Sequence, residues 1–330
     1  MSPLSGGAVL LSLFVATTLS CATQPNDPGH TSARHPGAES KPMDRPLIVN
    51  NTLVASDKSR LRGGTFWLYG WIPGKTTWAL SDAPWKAMQD NHLNLVRVAC
   101  AYRPERADNY SLDRYEGLLD SIIDRAEKLG VHVIIDYHPR PGTYNMTAAR
   151  AFWSRFASRY KDRKNVVYEL TNEPVFSQPD DYADKNLRDF EELWQLTHKL
   201  APDTPSVIMT FCQVGSTGRT PKQVVGALRG IDWSKTVVGF HSYWQNSSER
   251  IVELKQHYPC INTEFYTARR NSRRREMQLM DGYVHHGTLM EKLGISWTHW
   301  SILDTEGHLQ RLDPVIADLK ANGCYWGDEE

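Results

Sequence analysis

Neither sign of charge dominates this chain: 38 Lys and Arg stand against 38 Asp and Glu in 330 residues. Overall charge therefore points to no nucleic-acid partner and no acidic macromolecule. The five cysteines form no CxxC or CxxxH spacing, so a zinc site lacks its usual ligand pattern. No strand-like run opens into GxGxxG, and Gly63 with Gly64 lacks that spacing, which removes support for a dinucleotide site. No HxH lies near a strand end, and His285 and His286 fall in a predicted helix, where neighbours point apart. Neither a metal nor another cofactor is expected. The apolar run at residues 8–19, AVLLSLFVATTL, is too short to span a bilayer as a mature helix.

That run suits the h-region of a signal peptide ending at residue 22, with Ser20 and Ala22 as small residues at the cleavage positions. Export to a secreted or periplasmic location is the expectation. Lipid attachment at Cys21, giving a membrane-anchored lipoprotein, is the alternative, although Thr18 and Leu19 depart from the usual order before such a cysteine. Residues 23–46 include five prolines without apolar periodicity and read as a disordered tether. The remainder, 47–330, is about the size of one barrel domain and is expected to act as a monomer.

Within it, eight short apolar runs alternate with helical patterns: 61–65, 94–100, 131–138, 165–171, 206–211, 236–242, 260–265 and 295–300. Near-continuous apolar strands suit a parallel sheet covered on both faces. The clearest helix starts after Ser111, an N-cap residue, carries Leu112, Tyr115, Leu118, Leu119, Ile122, Ile123, Ala126 and Leu129 at three- and four-residue spacings, and stops at Gly130. Further helices fit residues 83–92, 147–160, 186–200 and 273–293. Alternation alone also allows an open doubly wound sheet. Polar residues gathered at the ends of the runs, Arg97, His138, Asn172, Glu173, His241, Tyr243, Glu264 and Trp300, favour a single closed (β/α)8 barrel, whose chemistry collects at that end. In such a barrel Cys260 and Cys324 would both lie at the bottom, where export permits a disulfide; free buried thiols are the alternative.

Cleaving a glycosidic bond takes two carboxyl groups facing one another. In VVYELTNEPVF, Pro174 cannot continue an inner strand, so Glu173 is placed at the rim; in PCINTEFY, Glu264 closes the seventh run likewise. Position alone leaves open whether these are a catalytic pair or two structural carboxylates. Asp136 and Glu169, inside strands, read as members of a buried network that demands partners. Eleven Trp and fourteen Tyr offer flat apolar surfaces suited to sugar rings, Trp67, Tyr69 and Trp71 in FWLYGW among them; core packing is the competing use.

The ordered segments NLVRVAC, VIIDYHP, VVYELTNEP, VGFHSYW, INTEFY and ISWTHWS resemble the successive strand ends of glycoside hydrolase family 5, the cellulase-like (β/α)8 barrels. The resemblance implies Glu173 as acid/base and Glu264 as nucleophile. It further implies Arg97 and Tyr243 holding the nucleophile, Asn172 on the sugar 2-hydroxyl, His138 and His241 lining the cleavage subsite, and Trp300, rather than Trp297, as its platform. Arg97 is expected to lower the pKa of Glu264 and a less polar setting to raise that of Glu173. The implied activity is retaining endo-β-glycanase action on a polysaccharide or oligosaccharide, with β-1,4-glucan leading because VVYELTNEP most resembles the cellulase branch. β-Mannan, an acidic exopolysaccharide, or glycan binding without catalysis are the alternatives. One departure stands out in TARRNSRRRE: Arg269, Arg270, Arg273, Arg274 and Arg275 precede a predicted helix whose dipole they would oppose, which suggests an anionic glycan; a solvated charged loop is the plainer reading.

Overall fold

Parallel strands alternate with helices along the chain, and their order closes on itself. In the computed structural model the residues described are 43–215, 218–243, 248–265, 268–270, 277–279, 286–300 and 313–327. An antiparallel hairpin, β1 (Leu47–Val49) and β2 (Thr52–Val54), precedes β3 (Arg62–Leu68), α1 (Pro73–Leu80), α2 (Asp82–Asp90), β4 (Leu95–Cys100), α3 (Leu112–Leu129), β5 (His132–Tyr137) and α4 (Met146–Tyr160). Next come β6 (Val166–Glu169), α5 (Asp184–Leu200), β7 (Ser206–Phe211), α6 (Pro221–Val225), β8 (Thr236–Ser242), α7 (Ser248–His257) and β9 (Cys260–Phe265). A second hairpin of β10 (Ala268–Arg270) and β11 (Met277–Leu279) leads to α8 (His286–Leu293), β12 (Trp297–His299) and α9 (Asp313–Ala321). Strands β3 to β9 and β12 pair side by side in parallel, with β8 on β9 and β12 on both β9 and β3. This is a closed eight-stranded (β/α)8 barrel, as expected, and the β12 to β3 pairing excludes the open sheet.

Local chemistry explains the elements. Ser111 accepts a hydrogen bond from the Arg114 amide at 3.2 Å, Gly130 ends α3 at φ 71°, and Tyr115, Leu118, Leu119, Ile122, Ile123 and Ala126 are buried. Inside the barrel the twofold period of a strand sorts residues by height. Leu95, Ile134, Val167, Val207, Val237 and Ile261 form an apolar layer with Leu53 and Leu61. Two residues further along, Arg97, Asp136 and Glu169 enter the same interior, so a polar layer sits directly above. Gly63 permits the tight approach of β3 to β4, because a Cβ there would lie 1.6 Å from the Leu95 carbonyl oxygen.

Two irregularities break the twofold period. The β7 to β8 register shifts between Ile208 and Phe211, where Met209 takes φ 54°. Between β8 and β9, Asn262 pairs with Phe240 and Glu264 with the next residue, His241, leaving Thr263 unmatched. Both are bulges of the kind that re-aim side chains near functional sites.

One expectation needs correction, and one open alternative is decided. The helix foreseen over 273–293 is in part a strand: Arg269 pairs with Gln278 in the β10–β11 hairpin, and α8 begins only at His286. Antiparallel pairing meets the backbone hydrogen-bonding need that a helix would have met, so the argument from a helix dipole lapses. Arg269 and Arg270 lie on β10, while Arg273, Arg274 and Arg275 are outside the described residues. Of the two readings left open for Cys260, the free buried thiol holds, with no bridge to Cys324. The segment after α9 is drawn towards β3 instead, with the Trp326 ring 4.3 Å from the Arg62 guanidinium and its indole donating to the His92 carbonyl at 3.2 Å. The expected leader and most of the tether also lie outside the described residues.

Candidate active site

Arg97 organises the mouth of the barrel from a fully buried position on β4. Its Nε and Nη2 donate to the two oxygens of Glu169 at 2.6 and 3.1 Å, and Nη1 donates to Glu264 Oε2 at 3.0 Å. Nη2 also reaches Asn172 Oδ1 at 2.8 Å and Asp136 Oδ2 at 2.9 Å. Burial alone would lower the basicity of this guanidinium, but Asp136, Glu169 and Glu264 outweigh that and raise it. Because the guanidinium only donates, Asn172 must turn its oxygen towards Arg97, which leaves the amide NH2 for another acceptor.

The bulges decide who joins this network. At the β7 bulge Thr210 reaches Glu169 Oε1 at 2.7 Å, and at the β9 bulge Thr263 donates to the same oxygen at 3.0 Å. Glu264 stays beside Thr263 in the interior, where it accepts from Arg97 and, through Oε1, from the Tyr243 hydroxyl. Glu173 ends the segment after β6 with φ 34°, an uncommon backbone for a residue with a side chain. Its carbonyl accepts from the Gly142 amide at 2.9 Å. His241 Nδ1 lies 2.6 Å from Glu173 Oε1 and 3.6 Å from Glu264 Oε1, and its Nε2 lies 3.2 Å from Thr263 Oγ1. One ligand atom each from Glu173, His241 and Glu264 falls within 4.8 Å of the others. A cation could in principle enter that trio, but the same atoms already bond to one another, to Arg97 and to Tyr243.

The structure thus brings Arg97, Asn172, Glu173, His241, Tyr243 and Glu264 together. His138 adjoins them, with Nδ1 2.7 Å from Asp136 Oδ2. Trp300 is half-buried with its ring 6.1 Å from His138, whereas Trp297 is enclosed and donates to Glu291 at 2.8 Å. Asp136 and Glu169 are both partners of Arg97 inside the barrel. Thr210, Thr263 and Cys212, whose thiol hydrogen-bonds Glu173, escaped sequence reasoning because a bulge has no residue signature.

The charge balance departs from expectation. Burial, then the neighbouring Glu173, push Glu264 well above the usual carboxylate range against the pull of Arg97. The single cation Arg97 is too little to hold both Glu264 and Asp136 down against burial. Burial likewise pushes Asp136 up to about 7 and His138 down to about 3. For Glu173 burial acts upwards, but the His241 charge and the hydrogen bonds from His241 and Cys212 bring it below its ordinary value. His241 itself is driven down by burial, against the pull of Glu173.

Residues 59–306 match the cellulase (glycosyl hydrolase family 5) domain. The chain belongs to glycosyl hydrolase family 5. Curated relatives of this family 5 chain include endoglucanase E-5 of Thermobifida fusca, 28% identical over 56% of this chain and 40% of that protein, and endoglucanase CelA of Streptomyces lividans, 26% identical over 66% and 47%. The chain spans about half the length of these relatives or less. Among solved structures, the catalytic domain of Thermobifida fusca endoglucanase Cel5A in complex with cellotetraose superposes with TM-score 0.61 at 21% identity, covering 78% of this chain and 84% of that one. The β-glucanase SdGluc5_26A of Saccharophagus degradans superposes with TM-score 0.65 at 18% identity, covering 86% and 95%. These likenesses establish the barrel of the family 5 chain.

Proposed function

We propose that the chain is a retaining endo-β-glycanase acting on β-1,4-glucan, with Glu264 as nucleophile and Glu173 as acid/base. The observation carrying this reading is the pair of carboxylate oxygens within 4.8 Å at the C-terminal ends of two barrel strands. Retaining chemistry uses carboxyl groups roughly 5 to 5.5 Å apart, whereas inversion needs a wider gap for water. Glu264 attacks the anomeric carbon as Glu173 gives its proton to the departing glycosidic oxygen, leaving a glycosyl ester on Glu264. Glu173, now anionic, takes a proton from water, whose oxygen displaces Glu264 and restores both groups. Arg97 and Tyr243 orient Glu264, the Asn172 amide is available to the sugar 2-hydroxyl, and Trp300 underlies the ring. The named endoglucanase and β-glucanase relatives favour a glucan backbone over a mannan one.

The test is a 2-deoxy-2-fluoro cellobioside, which traps the glycosyl ester, followed by mass spectrometry of the labelled peptide. A label on Glu264 supports the reading, and absence of any label with inverted product overturns it. Reducing-end release from carboxymethyl cellulose, mixed-linkage β-glucan, mannan and acidic glycans, with Glu264→Ala as control, assigns the polymer. We further propose export through the segment at residues 8–19; cell fractionation with and without that segment tests it.

A further inference from the structure

Beyond Trp300 the rim of the site continues as a file of rings from the end of β3 into the loop that follows. The Trp67 ring lies 4.5 Å from Trp300, Tyr69 stacks 5.5 Å from Trp67 at 19°, and Trp71 stacks 5.0 Å from Tyr69 at 23°. Both ends of this file carry cations: the Lys75 ammonium lies 3.2 Å from the Trp67 ring, and the guanidinium carbons of Arg103 and Arg106 both lie 4.8 Å from the Trp71 ring. Arg106 is neutralised by a two-pronged bond to Asp108 at 2.8 and 2.7 Å. Arg103 is not: it makes no ion pair among the described residues, and its Nε is buried with no acceptor. The acid beside it in the loop, Glu105, is exposed.

Stacking on an aromatic ring holds a guanidinium in place while leaving its edge free to donate. Arg103 sits three residues past the C-terminal end of β4, the strand that carries Arg97, and its charge is felt by Tyr69 and His138. That position places it on the rim of the site, where its charge also reaches Tyr115 on α3 and Tyr137 on β5. A partly buried, unpaired cation costs free energy unless some anion completes it, and a planar fork suits the paired oxygens of an oxyanion.

We propose that Arg103 recognises an acidic substituent, a carboxylate or a sulfate ester, on a sugar ring lying along Trp67, Tyr69 and Trp71, so that the preferred polymer is an acid-decorated β-glycan. This rests on the glycanase reading above. The test compares kcat/KM on three soluble β-1,4-glucans: a neutral one, the same polymer partly oxidised at C6 to carboxylate, and the same polymer partly sulfated. The unaltered enzyme is expected to prefer one acidic polymer over the neutral one. Arg103→Gln should cut that preference about tenfold, equivalent to about 1.4 kcal/mol, mainly through KM, and Arg103→Lys should cut it less. Raising the salt concentration should also erode the preference. Because the preference is a ratio within one preparation, partial loss of folded protein does not disturb it. Equal loss on all three polymers, or no preference in the unaltered enzyme, overturns this inference alone. Cleavage of none of the three defeats the glucanase reading and this inference with it.

Discussion

His241 Nδ1 lies 2.6 Å from Glu173 Oε1, and the opposite ring nitrogen decides which of the two holds the proton. Thr263 spends its hydroxyl proton on Glu169, so His241 Nε2, 3.2 Å from the Thr263 oxygen, must be the donor there. Burial favours the neutral imidazole, and a neutral ring protonated at Nε2 presents a bare Nδ1. In that neutral-ring form Glu173 holds the proton; when His241 is cationic, Nδ1 donates and Glu173 is ionised, the form in which His241 lowers the Glu173 pKa. The neutral-ring form removes the Glu173 charge which raises Glu264, so one proton moved to Glu173 readies the acid and frees the proposed nucleophile to ionise.

The alkaline limb of kcat/KM should follow from this coupling. Cationic His241 lowers the pKa of Glu173, and the acid role is lost as pH rises through that pKa. His241→Asn removes the lowering charge, so burial prevails, the Glu173 pKa rises, and the limb moves to higher pH while the rate falls. A limb that moves to lower pH would contradict the coupling.

Glu173→Gln should lower turnover of polymer by roughly 10²- to 10⁴-fold. On an aryl glycoside whose phenolate needs no protonation, the first step should be nearly spared, giving a burst of phenol before slow deglycosylation. Equal loss on both substrates would show that Glu173 is not the acid.

Arg97→Lys keeps the charge but not the fork that serves Glu169, Glu264, Asn172 and Asp136 together. Turnover should fall on the order of a hundredfold, with the melting temperature also reduced. Unchanged turnover would mean that Arg97 orients nothing of consequence.

Glu291 lies below the active end, held by Arg62 at 2.7 and 2.9 Å, by Arg60 at 2.9 Å and by the Trp297 indole at 2.8 Å. Glu291→Gln leaves Arg62 buried without a counter-charge and should destabilise by about 3 to 5 kcal/mol at neutral pH. Burial opposes ionisation of Glu291, but Arg62 and Arg60 outweigh it and lower its pKa below 4.5. Its contribution is therefore fully present above that unfolded value and lost as pH falls through the folded one. Urea unfolding at pH 7 and at acid pH should show the gap between variant and wild type closing in acid; a constant gap would refute this.

Dialysis against a chelator should leave activity intact, because a dication entering between Glu173, His241 and Glu264 would break their existing bonds and lie close to Arg97. Loss of activity restored by a divalent ion would reverse this expectation.

Much of this protein is legible from residues alone. Alternating β-branched runs and amphipathic patterns such as Leu112 to Leu129 mark parallel βα units, since apolar spacing reports which faces must leave water. Asn172 before Glu173 and Pro174, and Glu264 at the close of an apolar run, mark strand ends, since Pro stops a ladder and a carboxylate shuns an apolar interior. Closure was decided by tertiary structure, because the β12 to β3 pairing joins segments far apart in the chain. So was the β10–β11 hairpin, where cross-strand hydrogen bonding overrode a helical pattern. The bulges at Met209 and Thr263 were likewise invisible: strict alternation would turn Thr263 and Glu264 to opposite faces, and only the slipped register keeps both inside. The charge state follows the same rule, because which carboxylate holds a proton depends on how many anions share Arg97, and that number is a property of the assembled barrel.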